Sequence, residues 1–363
     1  MLRCKDVLPQ ICNYLGDRDK LRLLSTSRQM WECICHITLV NLVYVSKISR
    51  LSYFDRFSRV ITCNERQKIP TNAKEIHQRT SYPRCIINSV THLQIMCIPR
   101  NQYVIPPSVT HLMVDTIYDI LPGLAIHCHT TVTHLTFGHN YNSFMKNMPL
   151  SITHLKFGNR FNRFIVGKIK PMVTYLEFGR DFNQSIIDAI PGSVTQLMFG
   201  DSFDQPIIGA IPKSVTHLVF GDSFNQPIIG AIPKSVTHLV FGNSFNQSIL
   251  GAIPDSVIHL AFGNSFDQLV PGAMPSSVTC LKLGSRFNKR VVHVPLTVTS
   301  LWIGGRVATF TNNISYHSFY PYSNDTWVSR PKSVSFVLSI VPTTCNLIVQ
   351  YCVNLLRYIG WYV

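Results

Sequence analysis

The sequence lacks the signatures of the common catalytic classes. It has no GxxxxGK[ST] phosphate loop, no HExxH and no GxSxG. Its eleven cysteines include no CxxC pair, and Cys33-x-Cys35 is too close for a zinc knuckle. The thiols therefore read as free, in a reducing compartment. Long hydrophobic runs are missing as well. The most apolar stretch, residues 334–349, is broken by Pro342, Thr343, Thr344 and Asn346, and is too short and interrupted for a membrane span. Residues 1–10 are mixed and charged, unlike a signal peptide. No run of five like charges occurs, although the net charge is +15. Residues 1–100 hold 16 Lys+Arg against 7 Asp+Glu, so the basic excess is N-terminal. Its diffuse spread fits an acidic protein partner or plain solubility better than nucleic acid. A cytoplasmic location is expected, with the nucleus left open, and neither an enzyme nor a cofactor.

What is present is one phrase repeated: Ser-Val-Thr-His-Leu-x-Phe-Gly, then Phe-Asn-Gln-x-Ile, then Ile-Pro. The residue that opens each copy falls at Val173, Val194, Val215, Val236, Val257 and Val278, a spacing of 21. Looser copies start at Val90, Val109, Val132, Ile152 and Val298, at spacings of 19 to 23. Helix-pair repeats need roughly 30 residues or more, so the unit is too short for them. It fits a solenoid of leucine-rich-repeat type with one parallel strand per unit. Leu218 and Phe220 alternate with Val219 at strand period, and Phe224 and Ile228 supply buried groups for the return path. Gly221 ends the strand through its freedom of dihedral, and Pro233 turns the corner. Eleven rungs at roughly 4.8 Å would make a sheet about 50 Å long.

Three columns follow from stacking these units. Asn142, Asn162, Asn183, Asp204, Asn225, Asn246, Asp267 and Asn288 each follow an aromatic residue. Their side chains are suited to bonding turn backbone, and the Asp members argue against deep burial. His92, His111, His134, His154, His217, His238 and His259 share a second position, where Tyr175, Gln196, Cys280 and Ser300 replace them. Imidazoles are good metal ligands, but a linear stack does not converge and no carboxylate shares the column. An architectural ladder is therefore favoured, with no metal site. The third column lies between the two inward residues. There Met198, Val219, Val240 and Ala261 would form an exposed apolar strip on the sheet face, rimmed by Glu177 and Lys156 on one side and Lys282 on the other. Such a strip is expected to bind a partner protein, unless a loop or the N-terminal region covers it.

Residues 1–40 differ in kind. Asp6 can cap a helix with Pro9 in its first turn, and Ile11, Tyr14 and Leu15 follow at helical spacing. Asp17 or Asp19 can cap a second helix carrying Leu21, Leu23 and Leu24, then Met30 and Trp31. This stretch, from Val7-Leu8-Pro9 to Ser27-Arg28-Gln29-Met30-Trp31, resembles an F-box. Phe224-Asn225-Gln226-Pro227-Ile228 and Phe203-Asp204-Gln205-Pro206-Ile207 resemble FNIP repeats. The pairing looks like the F-box and FNIP repeat-containing proteins of social amoebae and amoeba-infecting giant viruses.

The resemblance implies a non-catalytic substrate receptor. Its F-box would dock on a Skp-type adaptor of a cullin–RING ubiquitin ligase, and its repeats would bind the target protein. In a virus that ligase would belong to the host, and the location would be the host cytoplasm. Leu8, Ile11, Tyr14, Leu15, Leu21, Leu24 and Trp31 are then the adaptor-facing or supporting residues. The alternative is a protein-binding scaffold with no ligase link, its helices only capping the solenoid. The expected divisions are 1–42 (F-box-like helices), 43–89 (linking and capping segment with a degenerate repeat), 90–305 (repeats) and 306–363 (loop and terminal cap).

Overall fold

A computed structural model describes residues 11–309 apart from 27, 29–33, 35–36, 64–66, 81–88, 96–102, 116–125, 128–130, 144–147, 269–271, 288–293, 296 and 305. The expectations for Asp6, Leu8, Pro9, Met30, Trp31, Asn288 and the terminal cap lie outside these residues.

The 21-residue unit folds as a rung of a solenoid. Among the described residues fifteen strands form one sheet, all parallel neighbours except the last pair. In its regular part Leu197 pairs with Leu218, Leu218 with Leu239, and Leu239 with Leu260, so every position meets its copy on the next rung. Leu218 and Phe220 point inward and are buried, as are Val215, Phe224 and Ile228. The two Phe positions make parallel columns. Phe220 stacks on Phe224 at 3.9 Å within a rung and on Phe241 at 5.5 Å in the next. Full burial of a side chain this size stabilises by about 1.5–3 kcal/mol, repeated at each rung. One continuous core results, from Leu39 to Leu301.

The small polar residues of the phrase tie the rungs together. Ser214 Oγ donates to Val194 O at 2.6 Å and Thr216 Oγ1 to Thr195 O at 3.1 Å. The Asn column is a hydrogen-bonded ladder: Asn183 Oδ1 accepts from the Asp204 N–H at 3.0 Å, and Asp204 Oδ1 from the Asn225 N–H at 2.9 Å. An Asp serves here because only an acceptor oxygen is required. Sequence reasoning missed a second ladder, in which Asn243 N–H donates to Asp222 Oδ1 and Asn264 N–H to Asn243 Oδ1.

The structure corrects several expectations. Gly221 is required by space, not by dihedral freedom: a Cβ there would sit 2.1 Å from Gly200 O. The left-handed turn falls instead at Gly230, with φ +70°, where a side chain is strained. The eleven expected rungs are present, and the segment read as capping strands and a degenerate repeat supplies three parallel strands before them, Val43–Tyr44, Arg59–Thr62 and Glu75–Thr80. The segment before residue 63 also holds a short helix, Val45–Ile48, and a 3-10 turn, Phe54–Arg56. Residues Arg306–Thr309 are not loop. They form an antiparallel strand on Ser300–Ile303, after Gly304 reverses the chain with φ +58°.

Asp17–Leu24 is the helix α1. Its N-cap is Gly16, so neither Asp17 nor Asp19 caps it. Asp17 is buried, and its carboxylate accepts the Val40 N–H at 2.9 Å and the Asn41 N–H at 2.6 Å. Lys20 pairs with Asp17 at 3.4 Å and donates to Thr38 O at 3.0 Å. A buried carboxylate is tolerated because a cation and two backbone donors surround it. These bonds fasten α1 to the segment that leads into the first strands.

Candidate interaction surfaces and the histidine column

The sheet face carries one histidine on most strands, at the first strand position from His92 onward. His77, which sequence reasoning missed, begins the column. The rings of His77, His92, His111, His134 and His154 stack with centroids 4.0 to 4.2 Å apart. Tyr175 follows at 5.5 Å. A second stack joins His217, His238 and His259 at 4.1 and 4.3 Å. In most rungs the preceding Thr bonds the ring, as Thr216 Oγ1 does His217 Nδ1 at 2.9 Å. That hydroxyl spends its hydrogen on Thr195 O, so Nδ1–H is the donor and Nε2 keeps its lone pair. Burial and the like charges of His217 and His259 push the pKa of His238 down to about 4. His238 is therefore neutral at pH 7, as its place between two close-stacked imidazoles requires.

At its first rung the column meets a carboxylate, contrary to expectation. Glu75 lies two residues before His77 on the same strand and face. Arg59, its register partner, holds it by a fork, Nε to Oε2 and Nη2 to Oε1, both at 2.9 Å. Its Oε1 also faces His77 Nε2. Burial works against its charge, but the Arg59 and His77 hydrogen bonds outweigh this and hold its pKa at about 2. Glu75, His77 and His92 each offer a metal-ligand atom, and these atoms lie within 4.8 Å of one another, the one such group among the described residues.

The apolar strip is more closed than its alternation implies. Met198 and Val219 face outward from the core but are only 8% and 4% exposed. Val219 sits between Met198 and Val240 on adjacent rungs and beside the taller His217 ring. Tyr175 leans its hydroxyl over Met198, 3.4 Å from Sδ. Val240, Ala261, Lys282 and Glu177 are half-buried. Glu177 is engaged by Lys156 at 2.7 Å and by the Tyr175 hydroxyl at 2.6 Å.

The exposed apolar residues lie elsewhere. Ile187, Ile208, Ile229 and Leu250, one per rung, are each more than half exposed at the turn. The signal was in the sequence: each follows a buried Ile, and two neighbours on an extended chain cannot face the same way.

At the N-terminal end the proposed adaptor residues separate into two sets. Ile11 is 47% and Tyr14 92% exposed. Leu24 is buried with Cys12 and Ile37 in a small core of its own. Leu21 packs on the solenoid core, and Leu15 is half-buried. No helix among the described residues is long and apolar enough to cross a membrane.

One solved structure shares this architecture in part. The chain is 31% identical to CroV588, whose crystal structure is described as a novel circular leucine-rich-repeat protein, with a TM-score of 0.57. That likeness covers 73% of this chain and 43% of the other. It is also 30% identical over 66 residues to a protein of Acanthamoeba polyphaga mimivirus provisionally named as an F-box protein, which is 18% of this chain and 26% of that protein. The chain thus spans less than half the length of either relative. The FNIP Repeat family matches five overlapping stretches, 163–202, 182–223, 203–244, 224–265 and 245–286. Residues 163–286 therefore carry FNIP repeats, built on the 21-residue rung, in a chain similar in part to a viral protein named for the F-box.

Proposed function

We propose that the chain is a non-catalytic substrate receptor of a cullin–RING ubiquitin ligase, its N-terminal helices docking on a Skp-type adaptor and its repeats selecting the target. The observation that carries this reading is the exposure of Ile11 and Tyr14 beside a core already filled by Cys12, Leu24 and Ile37. Large apolar side chains left in solvent next to a satisfied core suit a protein partner. The similarity to a viral protein named for the F-box supports the same reading. Ile11, Tyr14 and Leu15 are then the adaptor contacts, with Leu21 and Leu24 supporting from beneath. The target side is assigned to the sheet face at Glu177, Val240, Ala261 and Lys282.

The bonds of Asp17 and Lys20 to residues 38–41 favour a second reading, in which these helices only cap the solenoid. Mixing the chain and an Ile11→Asp/Tyr14→Asp variant with a Skp-type adaptor separates the two. Binding by the parent, lost in a variant with an unchanged circular dichroism spectrum, supports the receptor. No binding by the folded parent sinks the ligase link and leaves the cap.

A further inference from the structure

We propose that Glu75, His77 and His92 form a divalent transition-metal site, best suited to Zn2+, at the N-terminal end of the histidine column. Along the rest of the column the imidazoles stack on one another, and donors in a line do not enclose an ion. At the first rung a carboxylate joins them from the side. The strand Glu75–Thr80 sets Glu75 and His77 on one face, and the next rung lays His92 over His77 at 4.2 Å. One donor atom from each residue falls within 4.8 Å of the other two. Small side-chain rotations would bring them to a zinc ion at about 2.0–2.2 Å. Two imidazoles and a carboxylate are an established zinc donor set. All three residues are half-buried, so the ion has access from solvent and a fourth position stays open.

The surroundings orient the donors. Thr91 Oγ1 contacts His92 Nδ1 at 2.9 Å while its hydrogen is directed at Ile76 O, 3.5 Å away. Nδ1 therefore carries the ring hydrogen, and Nε2 is the nitrogen left for a metal. The Arg59 fork fixes the Glu75 carboxylate and leaves further lone pairs on it. The His77 Nε2–Glu75 Oε1 contact is where the ion would enter. There the metal takes the place of the shared hydrogen, which moves to His77 Nδ1 so that the imidazole binds as a neutral ligand. The Arg59 charge opposes a second cation, so the expected affinity is micromolar, weaker than a structural zinc site.

The test is titration of the intact, reduced chain with Zn2+, and in parallel with Co2+, whose absorption separates imidazole and carboxylate ligation from thiolate ligation. One equivalent should bind. Affinity should fall at least tenfold in Glu75→Gln and in His77→Gln and stay unchanged in His238→Gln, which lies in the second stack. Circular dichroism checks each fold. If His77→Gln fails to fold, Glu75→Gln decides, since its amide keeps the side-chain shape. Absence of binding to the folded parent, binding that survives Glu75→Gln, or a thiolate spectrum would each overturn the site.

Discussion

Thr237 Oγ1 lies 2.9 Å from His238 Nδ1, and the next rung lacks this bond. There Ile258 stands in place of Thr, and His259 Nδ1 is buried with no partner. An unmet buried polar atom costs about 1–3 kcal/mol. Ile258 is 40% exposed, so little apolar burial is lost by changing it. Ile258→Thr should therefore stabilise the protein by about 1 kcal/mol, the net worth of a hydrogen bond. Urea denaturation reads the gain, and a loss would mean that His259 is already satisfied in solution.

The second histidine stack makes stability depend on pH. Burial holds the pKa of His217, His238 and His259 below the usual value of 6.5, that of His238 at about 4. The unfolded chain then binds more protons than the folded one between pH 6.5 and 4. The stack's contribution is full above pH 6.5 and is lost as the pH falls through that window. The charges that act on His238 are those of His217 and His259, which oppose its protonation, and Thr237 holds its Nδ1. Unfolding midpoints should fall from pH 7 to pH 4, and His238→Gln should flatten the fall. An equal slope in the variant would place the sensitivity elsewhere.

Much of this was legible because the chain repeats one phrase. The spacing from Val215 to Val236 set the rung, and the alternation of Leu218, Val219 and Phe220 set its faces. What was not legible came from neighbours on other rungs. Gly221 is small because Gly200 passes beneath it, a contact 21 residues away in sequence. Val219 is outward yet closed because His217 and Met198 stand taller around it. His77 and Glu75 escaped notice because their strand lacks the Val-Thr-His word, and His77 joins the column only through its register with His92.

The two kinds of glycine should respond differently to substitution. A Cβ at Gly221 would meet backbone on the preceding rung at 2.1 Å, and backbone cannot rotate away. Gly221→Ala should cost about 3 kcal/mol or more, the upper range for overpacking. A Cβ at Gly230 meets nothing within 4 Å, so only its φ of +70° opposes a side chain. Gly230→Ala should cost about 1–2 kcal/mol. Gly230→Asn should cost less, since Asp188 takes φ +53° at the matching position. Equal losses for Gly221→Ala and Gly230→Ala would contradict the stacking of the rungs.

The sheet face should likewise divide into closed and open positions. Val219→Asp would bury a carboxylate among Met198, Val240 and His217, and neither residue paired with it in register is a cation. A loss of about 3 kcal/mol is expected, the range for an uncompensated buried polar group. Ala261 is half-buried and pairs in register with Lys282. An Asp there gains an opposite charge on the adjacent rung, so Ala261→Asp should stay within about 0.5 kcal/mol of the parent, as surface changes usually do. Denaturation midpoints of the two variants test this directly. If Ala261→Asp unfolds as early as Val219→Asp, the face is closed along its whole length and the target must be sought on the turn side, at Ile208 and Ile229. If it stays folded, it is the substitution with which to probe target recognition, because a binding defect could then not be ascribed to lost structure.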